Sequence, residues 1–555
     1  MRTVARRHPH VAALAAYVAL AAAATWPLLA GSGKAIAGRG SAPWRTLWGF
    51  WWWGDSLGRG VSPFVCDALR WPRGVTGWLE GWDLPATIAM LPVWRLAPGI
   101  PEVALYDALV FSSYALSGFT AYLLGRELWG GNLAPFLSGV LYAMGAYHLG
   151  QGPGDPLVLE MPWAPLYFLG LVRTVRRHGV GAPLTAGLAL GLAALSSPYQ
   201  LVCCCLGSAV LLVAWLRTDR ATLASTAFLH RAALLVATFL VLAGWFYVGM
   251  LRAQVAAPHV RAERAASRSA DLLAFFVPGA TSAWRGDLGA GARAGGGLES
   301  AAYIGWIALA LAIGAFVRAK AARPWIVLAL VGLVLALGPR LHVGGHALSA
   351  VLLPFGWAER LAPTLFLDAA PARFAWLVRF GVAMAAGGVL SLLARGGRRG
   401  SLVAAAVVVL AVVESWPRPM PLASWPAPRF LRDLARDGER WTVLDVTGPT
   451  RRLWNQVLHH HSQIGGGEPG TPGWSDPLPG GLPSPQQLLA VGGSPRARLA
   501  AIRALQELNV RFVLADGGAL AGVRALRLSR AYEGEGLVIF EVPPRIQMAA
   551  TSAPR

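Results

Sequence analysis

The sequence predicts an α-helical polytopic membrane protein, with about eleven transmembrane helices followed by a small soluble α/β domain. Three observations carry that expectation. The 555 residues are 55% hydrophobic and only 14% charged, against roughly 25% charged in ordinary soluble domains. Apolar runs near the ~20 residues that cross a bilayer recur from residue 11 to residue 413. Basic residues gather in every second joint between those runs, as the positive-inside rule requires of cytoplasmic loops.

The runs cover 11–30, 102–125, 132–147, 157–172, 183–198, 201–215, 232–251, 301–317, 324–337, 374–393 and 402–413. Pro198 and Pro324 stand at joints, where a helix ends or begins without losing a needed N–H. Arg2, Arg6 and Arg7 precede the first run. Arg173, Arg176 and Arg177 follow the fourth, Arg217 and Arg220 the sixth, and Arg318, Lys320 and Arg323 the eighth. Arg395, Arg398 and Arg399 follow the tenth. The short joints 149–156 and 197–200 contain no Lys or Arg. Eleven crossings therefore place the N-terminus in the cytoplasm and the tail outside. The basic N-terminal segment has no convincing small-residue cleavage site after it, so 11–30 reads as a first spanning helix or signal-anchor. The net charge of +21 is spread over loops rather than gathered on one face, so nucleic acid is not an expected partner.

In this topology 1–416 forms the transmembrane domain, with outer-face loops 31–101, 252–300 and 338–373. The first loop holds Trp44, Trp48, Trp51, Trp52 and Trp53. Trp44, Trp48 and Trp51 share a helical face, and tryptophan favours the membrane–water boundary, so a helix lying in the headgroup plane is expected. From about residue 417 the apolar runs shorten and Gly, Pro and polar residues rise. There 441–446, 510–515 and 537–542 read as strands, 496–508 as an amphipathic helix, and 465–485 as a Gly/Pro-rich loop. These make 417–555 a soluble extracytoplasmic α/β domain.

Walker A, GxGxxG in a βαβ setting and HExxH are all missing from the sequence, which disfavours ATP-driven transport and dinucleotide chemistry. Cys203, Cys204 and Cys205 lie in an apolar run and read as small hydrophobes. A secondary transporter predicts inverted repeats and mid-membrane charge; no repeat is visible, and the span centres read as nearly free of charge. His459, His460 and His461 are consecutive, which spreads their side chains over different faces, and they read as a solvated turn. The polar residues of interest cluster on the expected outer face. Asp55, Asp67, Glu80 and Asp83 lie in the first loop. His148, Asp155 and Glu160 lie around the joint before the fourth run. Arg373 opens the tenth run against the positive-inside trend. Carboxylates suit proton abstraction or a divalent cation, and an arginine fork suits phosphate. Asp107, near the start of the second run, suits a helix N-terminus.

Several short stretches together resemble the GT-C glycosyltransferase-like superfamily, in particular bacterial relatives near the dolichyl-phosphate-mannose mannosyltransferase (PMT/ArnT-like) and YfhO-like groups. They are Leu47-Trp-Gly-Phe-Trp-Trp-Trp53, Ser62-Pro-Phe-Val-Cys-Asp67, Trp71-Pro-Arg-Gly74, Leu116-Ser-Gly118, Tyr122-Leu-Leu124, Tyr147-His148, Trp163-Ala-Pro165 and Pro371-Ala-Arg-Phe374. In the tail, Gln463-Ile-Gly-Gly466 and Leu508-Asn-Val-Arg-Phe-Val513 are similar to the outer domain of such proteins.

The resemblance implies a multi-pass protein of a bacterial inner membrane. It implies a polyprenyl-phosphate-linked sugar as donor and an envelope glycan, lipid or protein as acceptor. Asp67 or Asp55 would be the base or a ligand to a divalent cation, and Glu160 a second catalytic acid. Arg373, His148 and Asp155 would contact substrate. One departure stands out. Such relatives carry a Gly-Asp element shortly before the Trp-rich run, whereas Ala37-Gly-Arg-Gly-Ser-Ala-Pro-Trp44 contains no acid, and Asp107 stands where an Asn is common. Either another first-loop acid takes the role, or the chain binds, moves or helps assemble a lipid-linked glycan without catalysis. The sugar, the acceptor and the oligomeric state are not legible in the sequence.

Overall fold

The computed structural model describes residues 8–31, 33–38, 40–79, 83–97, 99–151, 161–256, 268–279, 282–283, 302–348, 352–361, 370–439, 441–464, 484–490 and 494–544. The chain divides into two compact units. One comprises Met1–Pro43 with Gly81–Ala423, the other Trp44–Glu80 with Ser424–Arg555.

The first unit is a helical bundle, since a helix satisfies the backbone N–H and C=O groups of an apolar run within the run itself. Four helices among the described residues are long and apolar enough to cross a membrane: Glu102–Trp129, Pro198–Thr218, Thr226–Val255 and Pro371–Ala394. Trp306–Arg318 and Lys320–Ala336 reach that length together, bent by 119° at their joint. Shorter apolar helices include Pro9–Ala24, Leu84–Leu96 and Gly181–Ser196. This is a multi-pass membrane protein.

The helix Ala375–Ala394 is the axis of the bundle. Its 375–391 stretch is buried throughout, and it packs against Leu133–Ala143, Trp306–Arg318 and Arg323–Ala336. Phe380 is its hub, with ring centroids of Phe168, Trp325 and Trp376 at 5.1, 5.5 and 5.3 Å. The Trp376 indole donates to the Tyr142 hydroxyl at 2.9 Å, and that hydroxyl donates to the Met161 carbonyl at 2.8 Å. Lipid tails are as apolar as leucine, so helices associate in a bilayer through close packing and such hydrogen bonds rather than through hydrophobicity alone. Gly139 illustrates the closeness: a Cβ there would sit 2.1 Å from the Tyr17 hydroxyl. By contrast, Leu240, Val241, Trp245, Val248 and Val255 on the Thr226–Val255 helix are exposed, as a lipid-facing surface demands. A two-residue strand, β1 (Ile36–Ala37), pairs antiparallel with β2 (Leu422–Ala423).

The second unit is built on a five-stranded sheet: β3 (Thr442–Asp445), β4 (Ser462–Ile464), β5 (Val510–Ala515), β6 (Ser529–Gly534) and β7 (Leu537–Glu541), in the order β6-β7-β5-β3-β4. β3 runs parallel to both β4 and β5, and β5–β7–β6 is antiparallel. The amphipathic helix Pro495–Glu507 buries Ala501, Ala504 and Leu505 against β5. Three expected strands and this helix have their counterparts in the sheet. The expected 465–485 loop lies almost wholly outside the described residues.

Two expectations are corrected here. The Trp-rich helix Ala42–Gly58 does not present its tryptophans to headgroups. Trp44, Trp48, Trp51, Trp52 and Trp53 are all buried. Trp48 donates from its indole to Gln456 Oε1 at 2.7 Å, Trp44 packs on Trp454 at 5.4 Å, and Trp51 on His460 at 5.6 Å. Gln456 in turn donates to the Ala68 and His461 carbonyls. The segment 68–71 finishes the seam: Gln463 N donates to the Ala68 carbonyl and Trp71 N to the Gln463 carbonyl, which covers the outer edge of β4.

Nor is the histidine triplet a solvated turn. His459 ends the helix Pro449–His459, His460 takes the left-handed cap conformation (φ 64°), and His461 leads into β4. His459 is fully buried and its Nδ1 accepts from His461 N at 3.0 Å. His461 stacks on Trp441 at 3.4 Å.

Burial pushes both His459 and His461 below the usual imidazole value, helped at each by the charge of neighbouring histidine. A histidine with a depressed folded pKa gives its full contribution above its unfolded value of about 6.5 and loses it as pH falls, because the unfolded chain takes the proton first. Asp445 has the opposite sign: burial raises it, so its carboxylate opposes folding at neutral pH. The two histidines therefore make the second unit acid-labile. Amide hydrogen exchange should show protection in β3 and β4 falling between about pH 7 and pH 5. Equal protection at both ends of that range would rule this out.

Candidate functional site

A polar cluster forms inside the first unit, at the end of the bundle where Leu133–Ala143 finishes and the axial helix begins. The turn Pro371–Phe374 enters that helix. The Arg373 guanidinium lies 5.0 Å above the Tyr199 ring, and the Arg373 carbonyl accepts from the Tyr147 hydroxyl at 3.3 Å. Tyr199 also anchors the turn, its hydroxyl accepting from Ala370 N at 2.8 Å.

His148 follows Tyr147 directly and is fully buried. Its Nδ1 lies 3.1 Å from the Ala143 carbonyl, which only accepts, so Nδ1 carries the proton and Nε2 accepts from Ser113 Oγ at 2.9 Å. Its ring rests on Tyr114 at 4.4 Å. Tyr147, the chain neighbour of His148, thus ties that segment to the backbone of the turn that carries Arg373.

The dominant group of this cluster escaped the sequence reading. Arg379, one and a half turns into the axial helix, is 4% exposed. Its Nη1 donates to the Tyr303 carbonyl and its Nη2 to the Leu141 carbonyl at 3.1 Å. Gly145 lies against the guanidinium so closely that a Cβ would fall 1.4 Å from Nη2. Glu414, at the end of the Gly397–Glu414 helix, accepts from Trp306 N at 2.5 Å, Ile307 N at 3.0 Å and the Tyr303 hydroxyl at 2.8 Å. It therefore caps the Trp306–Arg318 helix, where a carboxylate meets both orphan N–H groups and the positive end of the dipole. The signal was available: an arginine inside an apolar run marks a functional or architectural site by default.

Asp107 has a role beyond its helix dipole. It is buried, and its Oδ1 accepts from Ala37 N at 3.1 Å, with the Gly33 amide also directed at the carboxyl. The acid-free stretch that precedes the Trp run is thereby anchored to the Glu102–Trp129 helix.

The other expected acids fall elsewhere. Asp55 and Asp67 belong to the second unit and share one cation. Arg59 donates from Nε to Asp55 at 2.8 Å and from Nη1 and Nη2 to Asp67 at 3.1 Å each. The guanidinium also lies 5.2 Å from the Trp52 ring centroid. Burial pulls Arg59 down, but the two carboxylates outweigh it and hold the guanidinium above its usual value. Asp83 caps the Leu84–Leu96 helix through Ala86 N. Asp155, Glu160 and Glu80 lie outside the described residues. Among the described residues no three His, Cys, Asp or Glu side chains are grouped so as to hold a metal ion.

The chain thus combines a multi-pass bundle around a buried axial helix with a mixed sheet that follows it in sequence. The fold is similar to that of solved membrane glycosyltransferases. The chain is similar to the archaeal oligosaccharyltransferase AglB from Archaeoglobus fulgidus, solved with an inhibitory peptide and a dolichol-phosphate. That match has 14% identity and a TM-score of 0.51, over 92% of this chain and 70% of that one. It is also similar to the arabinofuranosyltransferase AftD from Mycobacteria, with 16% identity and a TM-score of 0.58, over 97% of this chain and 40% of that one. The chain thus spans about two-fifths of AftD. Residues 88–414 match the family described as "Domain of unknown function (DUF6311)", and the chain belongs to that family. No curated protein matches it.

Proposed function

We propose that this protein is a membrane glycosyltransferase-like protein that takes a polyprenyl-phosphate-linked sugar at the outer face of a bacterial inner membrane. The acceptor would be an envelope glycan, lipid or protein. The observation that carries the reading is Arg373, which opens the axial helix of a GT-C bundle over the Tyr199 ring. A guanidinium there suits the phosphate that leaves when an acceptor hydroxyl attacks the anomeric carbon, since the developing charge meets a fixed cation. The full topology belongs to this proposal: about eleven crossings, the N-terminus in the cytoplasm and the 417–555 domain outside, with basic joints held inside.

Proton abstraction from the acceptor falls in this reading to Asp67 or Asp55, with Glu160 as a second acid and His148 and Asp155 beside the substrate. Asp67 and Asp55 must first leave Arg59. The same pair would be the ligands of a divalent cation, but Arg59 already occupies both carboxylates and offsets one of their two charges, so no step is assigned to a metal.

Purified protein supplied with a polyprenyl-phosphate sugar and acceptor extract tests the reading. Arg373→Ala is expected to lower transfer by about a hundredfold or more at unchanged protein level, the scale on which loss of one charge-stabilising donor acts. Asp67→Asn should do likewise if that acid is the base. Unchanged transfer in both variants would remove these assignments.

The Arg59 clamp and the acid-free 37–44 stretch favour a second reading, in which the bundle binds, moves or helps assemble a lipid-linked glycan without transferring it. Saturable binding of the donor with neither transfer nor hydrolysis would support that alternative.

A further inference from the structure

Arg379 and Glu414 meet in a partly enclosed cavity within the first unit. Its lining also includes Tyr303, Leu149, Ile304 and Pro417. The cavity measures about 320 Å³ counting its open mouth, and its enclosed floor has room for little more than one hydroxyl-sized group.

Most of the polar atoms of the two charged groups already have partners, and the exceptions are specific. A carboxylate offers about four acceptor positions. Glu414 uses three, two on Oε1 and one on Oε2. Both Nη atoms of Arg379 donate to carbonyls. Its Nε, buried with the rest of the side chain, has no hydrogen-bond partner among the described residues. Among the described residues Nε is thus the one guanidinium nitrogen left without any partner, and Glu414 keeps one acceptor position, on groups of opposite charge that line the same cavity. A buried N–H of a charged group without a partner is costly, so the arrangement calls for an occupant.

The charge pair selects its chemistry. An anion drawn to Arg379 would face Glu414, and a cation drawn to Glu414 would face Arg379. A neutral hydroxyl satisfies both, accepting from Nε–H and donating to Oε2. Leu149, Ile304 and Pro417 supply an apolar wall suited to the C–H face of a ring.

We infer that this cavity is a subsite for one hydroxyl of a neutral sugar ring, with Arg379 as donor, Glu414 as acceptor and the rest of the ring at the mouth. The inference names the sugar-contacting part of the site and rests on the glycan-handling function proposed above. It does not depend on the phosphate contact assigned to Arg373.

The test uses the purified full chain in detergent micelles, with neutral methyl hexosides and their monodeoxy derivatives as probes. Saturation-transfer NMR reads binding, and a bare polyprenyl phosphate serves as a separate ligand. Wild-type protein is expected to bind at least one methyl hexoside. Removal of a single hydroxyl should weaken that binding about tenfold or more, while removal of the others matters less. Glu414→Gln should weaken the same hexoside by a similar factor and leave polyprenyl phosphate binding unchanged. The deoxy series needs no variant, so it stands even if Glu414→Gln disturbs the helix cap.

Equal binding of every monodeoxy hexoside would overturn the subsite. Binding of polyprenyl phosphate with no hexoside bound would overturn the subsite while leaving the proposed function in place. Binding of neither ligand would remove both.

Discussion

Trp52→Ala is expected to destabilise the second unit by about 3–5 kcal/mol, the range for truncating a buried aromatic side chain. Trp52 is fully buried. Its indole donates to the Pro63 carbonyl at 2.8 Å and stacks beside Trp48 at 6.2 Å. Truncation leaves a large void, orphans a buried carbonyl and removes the surface under Arg59. Since domains are typically stable by only about 5–15 kcal/mol, a large part of the folded population is at risk. Thermal unfolding followed by limited proteolysis, with cleavage sites mapped to 44–80 and 424–544, measures the effect. A shift confined to the membrane unit, or no shift at all, would contradict the assignment of this helix to the sheet-bearing unit.

Gly145→Ala is expected to be nearly as damaging, at a site where alanine would ordinarily be mild. The added methyl would lie 1.4 Å from Arg379 Nη2, far inside contact distance. Arg379 lies on a helix that is buried on all sides, so the guanidinium cannot swing out to water. Expulsion would break its bonds to the Leu141 and Tyr303 carbonyls, each costing about 1–3 kcal/mol when a buried group is left unpaired, on top of about 1–3 kcal/mol for overpacking. The melting temperature in detergent, read by loss of the monodisperse peak on heating, should fall by several degrees. Retention of wild-type melting would show that Arg379 has another place to go.

Much of the fold was legible because its physics is local. Each apolar run that falls in described residues carries a helix, and the short apolar, β-branched runs at 510–515 and 537–542 read directly as β5 and β7. What misled were residues whose partners lie far along the chain. Periodicity correctly gives Ala42–Gly58 as helical, but one apolar face serves a headgroup layer or a protein core equally well. Only the partners Gln456 and Trp454, some four hundred residues onward, decide between them. The histidine triplet failed for a different reason. It was judged as one run of a single conformation, whereas a helix end, a left-handed cap and a strand start divide it.

The candidate site was legible in half. Arg373 announced itself by breaking the charge rule for loops. Arg379 lay six residues further into a run whose mean composition hid it, and its partners come from three other segments. Arg59 was invisible as a clamp because it is four residues from one acid and eight from the other, and only the turn after its helix makes both reachable.

The split make-up of the sheet-bearing unit sets a timetable for synthesis. Residues 44–80 and 424–555 fold together, yet the ribosome must produce the 343 residues 81–423 between them. At about 5–20 residues per second, the tryptophan-rich piece waits roughly 17–70 s for its mate. During that interval five indoles have no protein to cover them, and the nearby bilayer boundary, which tryptophan favours, is a natural resting place. The headgroup layer would then be a waiting room on the way to assembly rather than an address in the finished molecule.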